Sequence, residues 1–151
     1  MNRLKRVLLA EDNAHDVELT LAALEEYRLA NEVVVVRDGA EAWDYLKRQG
    51  EFAERPEGLP AVVLLDLKMP RVDGLEVLRR MKQDPDLATL PTVMLTSSGE
   101  ESDLVQSYRL GVNAYVVKPV AFQEFVDAVR ALGLFWAVLN EPPPVAVRKA
   151  A

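Results

Sequence analysis

Five polar residues that can take part in chemistry lie directly after short apolar runs of the chain. Glu11 and Asp12 follow the first run, Asp66 follows the third, Thr96 the fourth and Lys118 the fifth. None of them interrupts a run, where a charged side chain would be buried without a partner. The set therefore contains three carboxylates, one hydroxyl and one ammonium group in matching positions.

This combination of groups favours phosphoryl chemistry assisted by a divalent cation. Three carboxylates in one pocket repel one another, and a hard cation relieves that repulsion. Mg²⁺ is the best match because it takes oxygen ligands, uses one or two carboxylates and keeps waters that a phosphate can displace. A lysine and a hydroxyl opposite the cation suit a phosphoryl group. The predicted acceptor is a carboxylate, since aspartyl phosphate is established chemistry and no serine–base pair is visible.

The elements that must position these residues alternate between β-rich runs and helical patterns. The five runs are residues 7–10, 33–36, 61–65, 91–95 and 114–117. Near-continuous apolar strands between helices predict an α/β fold, a doubly wound parallel sheet with helices on both faces. The second run is four consecutive valines, which predicts a strand buried on both faces. In such a sheet the carboxyl ends of the strands line the ligand crevice, so we expect the polar side chains to converge there.

Capping signals mark where two of the helices begin. Asp38 with Glu41, and Asp73 with Glu76, have the spacing of a capping box. Gly50 is predicted to end the first of these helices. Residues 51–60 contain two prolines and several charges, which predicts a surface loop.

Composition excludes several other classes of protein. The 151 residues include no cysteine, which excludes disulfides and thiolate sites, and the single histidine, His15, cannot build a multi-histidine metal site. The longest apolar stretch, Ala131–Leu139, is far shorter than the roughly 18 residues of a membrane span. A formal charge of −6 argues against direct nucleic-acid binding. No signal peptide is recognisable, so a cytoplasmic location is expected.

A set of short motifs resembles the receiver domain of two-component response regulators. In chain order the motifs are Glu11-Asp12, Leu65-Asp66-Leu67-Lys68-Met69-Pro70, Asp73-Gly74, Thr96-Ser97 and Tyr115-x-x-Lys118-Pro119. The resemblance covers residues 4 to about 133 and implies a flavodoxin-like sheet of five parallel strands in the order 2-1-3-4-5. It also implies a signalling protein that accepts a phosphoryl group and is not an enzyme. Such a protein catalyses only its own phosphorylation and dephosphorylation.

The resemblance implies how the cation and the phosphoryl group are held. Asp66 is similar to the phosphoacceptor of the family and to one of its metal ligands. Asp12 is similar to the direct ligand of Mg²⁺, and Glu11 to a ligand that acts through a metal-bound water. The backbone carbonyl of Lys68 would complete the metal site.

The remaining motif residues resemble those that bind and sense the phosphoryl group. Thr96 and Lys118 would each bond a phosphoryl oxygen, and Pro119 is expected to follow a cis peptide bond. Tyr115 is similar to the aromatic switch that turns inward when Thr96 moves. Signalling would then use the surface of the fourth helix, fifth strand and fifth helix, or dimerisation.

Each site residue also has a simpler structural interpretation. Glu11 and Asp12 could cap the first helix, a role that Asn13 could share. Asp66 could be an ordinary turn residue after a strand. Tyr115 could be a partly buried aromatic residue without a switching role.

The chain divides into a predicted receiver domain, residues 1–133, and a C-terminal extension, residues 134–151. The extension is aromatic and then proline-rich, and Phe135, Trp136 and Leu139 share one helical face with Leu132. This face could fold back on its own domain, but it favours a homodimer interface. The extension and the Glu11 start look like those of stand-alone regulators paired with phytochromes. The expected partner is therefore a sensor histidine kinase, and the likeness to phytochrome-paired regulators favours a bacteriophytochrome.

Two alternative functions use the same residues. A haloacid-dehalogenase-like phosphatase also combines an Asp nucleophile with Mg²⁺, Thr and Lys, but it needs a second Asp where this chain has Lys68, and it carries a cap domain. A receiver-like interaction module that takes no phosphate is the second alternative, and the full set of site residues argues against it.

Overall fold

The computed structural model describes residues 6–26, 32–96, 106–112 and 114–117. Its strands are β1 (Arg6–Ala10), β2 (Glu32–Val36), β3 (Val62–Asp66), β4 (Thr92–Thr96) and β5 (Ala114–Val117). Its helices are α1 (Ala14–Glu26), α2 (Gly39–Lys47) and α3 (Gly74–Gln83), with a 3₁₀ turn at Gly50–Phe52 and a helical turn at residues 106–109. Within these ranges, no helix is both long and apolar enough to cross a membrane.

The sheet has the strand order β2-β1-β3-β4-β5, and its pairs are parallel. The chain goes outward from β1 to β2, then returns past β1 to β3 and continues to β4 and β5. Because crossovers between parallel strands are right-handed, this reversal places α1 on one face and α2 and α3 on the other. The predicted flavodoxin-like, doubly wound fold is confirmed.

The hydrophobic core lies on both faces of the sheet. One buried cluster joins Leu8 of β1, Leu65 of β3 and Met94 of β4 to the inner sides of α2 and α3. The neighbouring strand residues Leu9 and Leu64 are buried as well, and they point to the opposite face because side chains alternate along a strand. A sheet packed on both sides holds the ends of its strands in fixed positions, which is what a site at those ends requires.

The capping signals were correct for the starts of α2 and α3. Asp38 accepts a hydrogen bond from the backbone N–H of Glu41 at 2.8 Å, and Asp73 accepts one from that of Glu76 at 2.9 Å. The predicted end of α2 at Gly50 was wrong. The helix ends at Lys47, and Arg48 takes up the left-handed conformation, with φ 55°, in which its N–H bonds back to the last turn.

The burial of β2 also differs from the prediction. Val36 is buried, but Val33, Val34 and Val35 are only partly buried. The reason is the position of β2 at the edge of the sheet, where only β1 lies beside it. A run of valines indicates a strand, but it does not distinguish an edge strand from a central one.

Candidate functional site

Three carboxylates meet at the carboxyl end of the two central strands. Glu11 and Asp12 follow β1, and Asp66 is the last residue of β3. One carboxylate oxygen from each residue lies within 4.8 Å of the other two. Glu11 and Asp66 are buried, whereas Asp12 is exposed. The cluster lies where the strand order reverses, since α1 follows β1 to one face of the sheet and α3 follows β3 to the other, which opens a crevice between the two strand ends.

The start of α1 positions the first two carboxylates. The N–H of Glu11 bonds to the carbonyl of Val36 at 2.9 Å, which continues the pairing of β1 with β2 beyond the strands. The side chain of Asn13 accepts the N–H of Asp16 at 3.0 Å, so Asn13 caps the helix. The Glu11 carboxylate accepts the N–H of Asn13 at 3.2 Å. Asn13 thus takes the capping role, and Glu11 is oriented within the cluster.

Gly74 packs against the backbone of Asp66, a contact that the sequence patterns do not predict. The N–H of Gly74 bonds to the carbonyl of Leu67 at 2.7 Å, which closes the loop between β3 and α3 at its base. A Cβ at position 74 would lie 2.3 Å from the carbonyl oxygen of Asp66. Only glycine therefore allows α3 to begin this close to the strand end. The available signal was the Asp73-Gly74 pair shortly after an apolar strand.

Lys68 lies on the exposed side of the same loop. Leu67 and Met69 on either side of it are buried and anchor the loop to the core, while Lys68 faces solvent. Together with Asp73 and Leu75 they line an open depression of about 540 Å³. The metal-binding role of the Lys68 carbonyl stays a prediction.

A salt bridge between the loop and α2 was not foreseen from the sequence. The guanidinium of Arg71 donates from Nε to Oδ2 and from Nη2 to Oδ1 of Asp38, both at 3.0 Å. From its spacing to Glu41, Asp38 is predicted only to cap α2. Arg71 has φ 66°, which is rare for a residue other than glycine.

The other predicted site residues are placed in part or lie outside the described residues. Thr96 ends β4, and its backbone pairs with Val117 of β5. Tyr115 lies in β5 beside Met94 of β4. The structure describes both residues by backbone position only. The remaining predicted residues all lie beyond residue 117, outside the described part of the chain: Lys118, Pro119, Phe135, Trp136 and Leu139.

The chain belongs to the response regulator receiver domain family. The family model for the response regulator receiver domain matches residues 7–130, most of the chain. This match agrees with the resemblance carried by the sequence motifs and with the strand order of the sheet.

The relatives are named as response regulators, and some of the solved structures among them as phytochrome response regulators. Response regulator Rcp1 of Synechocystis is 39% identical over 132 residues, covering 87% of this chain and 88% of that protein. The solved bacteriophytochrome response regulator RtBRR is 62% identical with a TM-score of 0.83, covering 97% of this chain and 88% of that one. The phosphorylated cyanobacterial phytochrome response regulator RcpA is 40% identical with a TM-score of 0.75, covering 89% and 94%.

The carboxylate cluster fits a hard divalent cation. All three donors are oxygens, the type of ligand that Mg²⁺ takes in proteins. A solved Mn²⁺-bound form of Rcp1, 37% identical with a TM-score of 0.75 over 93% of this chain and 99% of that one, shows a divalent metal in a relative. The prediction of a magnesium-type site is thus confirmed at the level of its donor set.

Proposed function

We propose that this chain is a stand-alone response regulator that accepts a phosphoryl group on Asp66 from a sensor histidine kinase. The observation that carries the proposal is the meeting of three carboxylates from two strands within 4.8 Å at the reversal point of the sheet. Family membership supports the same chemistry. The relatives are named as response regulators, which favours a signalling protein over a haloacid-dehalogenase-like phosphatase.

In the proposed reaction an oxygen of the Asp66 carboxylate attacks the phosphorus of a phosphohistidine. A P–O bond forms, the P–N bond breaks, and the imidazole leaves with the electron pair and takes up a proton. Asp66 is buried at the end of a rigid central strand, so its carboxylate is held for attack from the crevice. A bound Mg²⁺ would neutralise negative charge developing on the phosphoryl oxygens. Asp12 would hold it directly and Glu11 through water.

The other roles follow the family pattern and rest on the resemblance. The Lys68 carbonyl would complete the metal site. Thr96 and Lys118 would each contact a phosphoryl oxygen, with Pro119 after a cis peptide bond. Tyr115 would then turn inward with Thr96. The changed surface would be that of the fourth helix, fifth strand and fifth helix.

The names of the relatives support a bacteriophytochrome as the kinase partner. Residues 1–133 would form the receiver domain and residues 134–151 the extension, with Phe135, Trp136 and Leu139 in a homodimer interface. A cytoplasmic location is part of this proposal, because the kinase must present its phosphohistidine to Asp66.

Incubation with acetyl phosphate and Mg²⁺ tests the acceptor. We expect the mass of the protein to increase by one phosphoryl group, with the adduct stable in acid and released by base. Asp66→Asn should abolish the adduct and keep the fold, because Asn preserves the shape of the side chain but is not a nucleophile. Removal of Mg²⁺ with a chelator should prevent the adduct. Mass spectrometry of the intact and digested protein gives both results.

Asp73→Asn is the matched control, because it changes one carboxylate of the same loop. Asn can still cap α3 by accepting the N–H of Glu76, as Asp73 does. This variant should form the adduct as the unmodified chain does. An adduct that persists in Asp66→Asn would refute the assignment of the acceptor. Absence of any adduct in the unmodified chain would support the interaction module instead.

A further inference from the structure

The loop between β3 and α3 is held at its tip as well as at its base. At the base, Gly74 bonds to the Leu67 carbonyl. At the tip, Arg71 makes its two hydrogen bonds to Asp38, which follows β2 on the far side of β1. The loop between these two points carries Lys68, whose carbonyl the proposed metal site uses.

Arg71 occupies a backbone conformation that favours glycine. Its φ of 66° lies in the left-handed region, where a Cβ atom crowds the backbone. If position 71 served only to shape the loop, glycine would suit this conformation best. The side chain of Arg71 is therefore the feature that requires explanation, and its described contact is the carboxylate of Asp38.

Asp38 is well suited to fix the position of the loop. It is buried, and the N–H of Glu41 at the start of α2 also bonds to it at 2.8 Å. Its carboxylate thus accepts three hydrogen bonds, one from α2 and two from the loop. A planar guanidinium bound through two nitrogens restrains direction as well as distance, which a lysine cannot do.

A second contact joins the same two elements independently of the salt bridge. A Cβ on Gly39 would lie 1.8 Å from the carbonyl oxygen of Val72. The first residue of α2 and the residue after Arg71 are therefore in direct backbone contact. Val72 also bonds through its N–H to the Pro70 carbonyl at 2.8 Å, so the tip of the loop is a tight turn packed on α2.

We propose that Arg71 is a positioning residue for the cation site: by pairing with Asp38 it anchors the β3–α3 loop to α2 and holds Lys68 beside the carboxylate cluster. The inference rests on the proposed function, because it assigns the Lys68 carbonyl to the metal. Arg71 itself touches neither the cation nor the phosphoryl group. Its effect is to reduce the number of loop conformations that must be given up when the cation binds.

Four variants separate the salt bridge from loop strain and from charge. Arg71→Gly removes the pairing but relieves the left-handed backbone, and Arg71→Lys keeps the charge without the two-nitrogen contact. Asp38→Asn leaves an acceptor for the N–H of Glu41 while removing the carboxylate. Arg79→Ala is the control, since Arg79 is an exposed arginine of α3 that pairs with Glu76, and its loss changes the net charge equally.

Two measurements are made on each variant. Titration with Mg²⁺ alone gives its dissociation constant, and hydrogen exchange of the metal-free protein reports the amides of residues 68–74. Residues that hydrogen-bond directly to metal ligands typically contribute about 10- to 100-fold in metal affinity. Because Arg71 acts on the loop rather than on a ligand, we expect a smaller effect, about 3- to 10-fold weaker Mg²⁺ binding for Arg71→Gly. In Arg71→Gly the amides of Val72 and Gly74 should exchange faster. Arg79→Ala should match the unmodified chain in both its Mg²⁺ dissociation constant and its amide exchange.

The double variant Arg71→Gly with Asp38→Asn should bind Mg²⁺ no more weakly than the weaker single variant, because both remove one interaction. If Arg71→Gly and Arg71→Lys bound Mg²⁺ as tightly as the unmodified chain, and their loop amides exchanged no faster, the inference about Arg71 would be overturned. In that case the proposed function would still stand, provided that the unmodified chain binds Mg²⁺. No Mg²⁺ binding by the unmodified chain would overturn both proposals. The two failures are therefore distinguishable.

Discussion

Single residues at the starts of two helices decide how closely the elements of this site approach one another. Gly74 is the clearest case, because its missing side chain lets the first turn of α3 contact the carbonyl of Asp66. The requirement is steric, since a Cβ would meet fixed backbone atoms rather than a movable side chain. Gly39 makes the same kind of contact between α2 and Val72. The two glycines thus bring two helix starts onto the rim of the site.

Replacing Gly74 with alanine should reduce both stability and cation binding. The added Cβ must displace either Asp66 or α3, so we expect the free energy of unfolding to fall by about 1–3 kcal/mol, as in other overpacked sites. Urea unfolding of the metal-free protein measures this change, and a Mg²⁺ titration measures the accompanying loss of affinity. Arg79→Ala, at an exposed position of the same helix, serves as the control. Equal stability of Gly74→Ala and the unmodified chain would contradict the contact.

At the scale of elements, α2 and α3 are joined at both ends. The start of α2 is tied through Asp38 to Arg71 in the loop that leads into α3. At the other ends, Lys47 of α2 pairs with Asp84 directly after α3, with 2.5 Å between Nζ and Oδ2. Between them, Trp43 of α2 lies 5.8 Å from the guanidinium of Arg80 of α3. The two helices therefore present the rim of the site as one unit.

The pairing at the far ends of these helices should make stability depend on pH. The hydrogen bond from Lys47 lowers the pKa of Asp84 below its ordinary 3.8, with the backbone N–H of Asp86 adding to the effect. The contribution of the ionised Asp84 to the free energy of unfolding is therefore complete above pH 3.8. It is lost as the pH falls through the lower pKa that Asp84 has in the folded state. Asp84→Asn should be less stable than the unmodified chain near neutral pH, and the difference should shrink below pH 3.8.

Urea unfolding across this range of pH checks the prediction. Asp86→Asn is the control, because it changes an exposed neighbouring carboxylate while leaving the pairing of Lys47 with Asp84 in place. Its stability should follow that of the unmodified chain. A constant difference between Asp84→Asn and the unmodified chain down to the lowest pH would show that the carboxylate does not carry the effect.

At the scale of the whole molecule, the negative charge at the reversal point of the sheet links folding stability to cation binding. The chain carries a formal charge of −6, and three carboxylates lie within 4.8 Å where β1 and β3 end. Like charges this close repel one another, and we expect a bound cation to relieve that repulsion. The cluster joins the ends of β1 and β3, which pair directly with each other, so we expect cation binding to change the stability of the folded domain.

We therefore expect Asp12→Asn to have opposite effects with and without Mg²⁺. Two unit charges at such a distance in a water-like environment repel by on the order of 1 kcal/mol, so the metal-free variant should be more stable by about that amount. The unmodified chain should gain about 2.7 kcal/mol at a Mg²⁺ concentration 100 times its dissociation constant, and the variant should gain far less.

Thermal unfolding with and without Mg²⁺ measures both effects. Glu18→Gln is the control, because it makes the same charge change at an exposed position of α1, outside the cluster. It should leave the response to Mg²⁺ intact. An undiminished response in Asp12→Asn would remove Asp12 from the metal site.

What the sequence determines is mostly local or periodic. The capping bonds of Asp38 and Asp73 join residues three apart, so the chain reveals them directly. The apolar runs indicate the strands, and parallel strands with right-handed crossovers leave few topologies. From that topology the meeting of Glu11, Asp12 and Asp66 follows, because polar residues after neighbouring strands must share an edge.

What only the tertiary structure decided depends on contacts between distant segments. The partial burial of β2 follows from its place at the edge of the sheet, beside β1 alone. Arg71 and Asp38 are 33 positions apart, and no local pattern pairs them. The need for glycine at position 74 appears only once a helix start meets a strand end. Periodicity records which side of an element is apolar, whereas such contacts arise when the elements pack together.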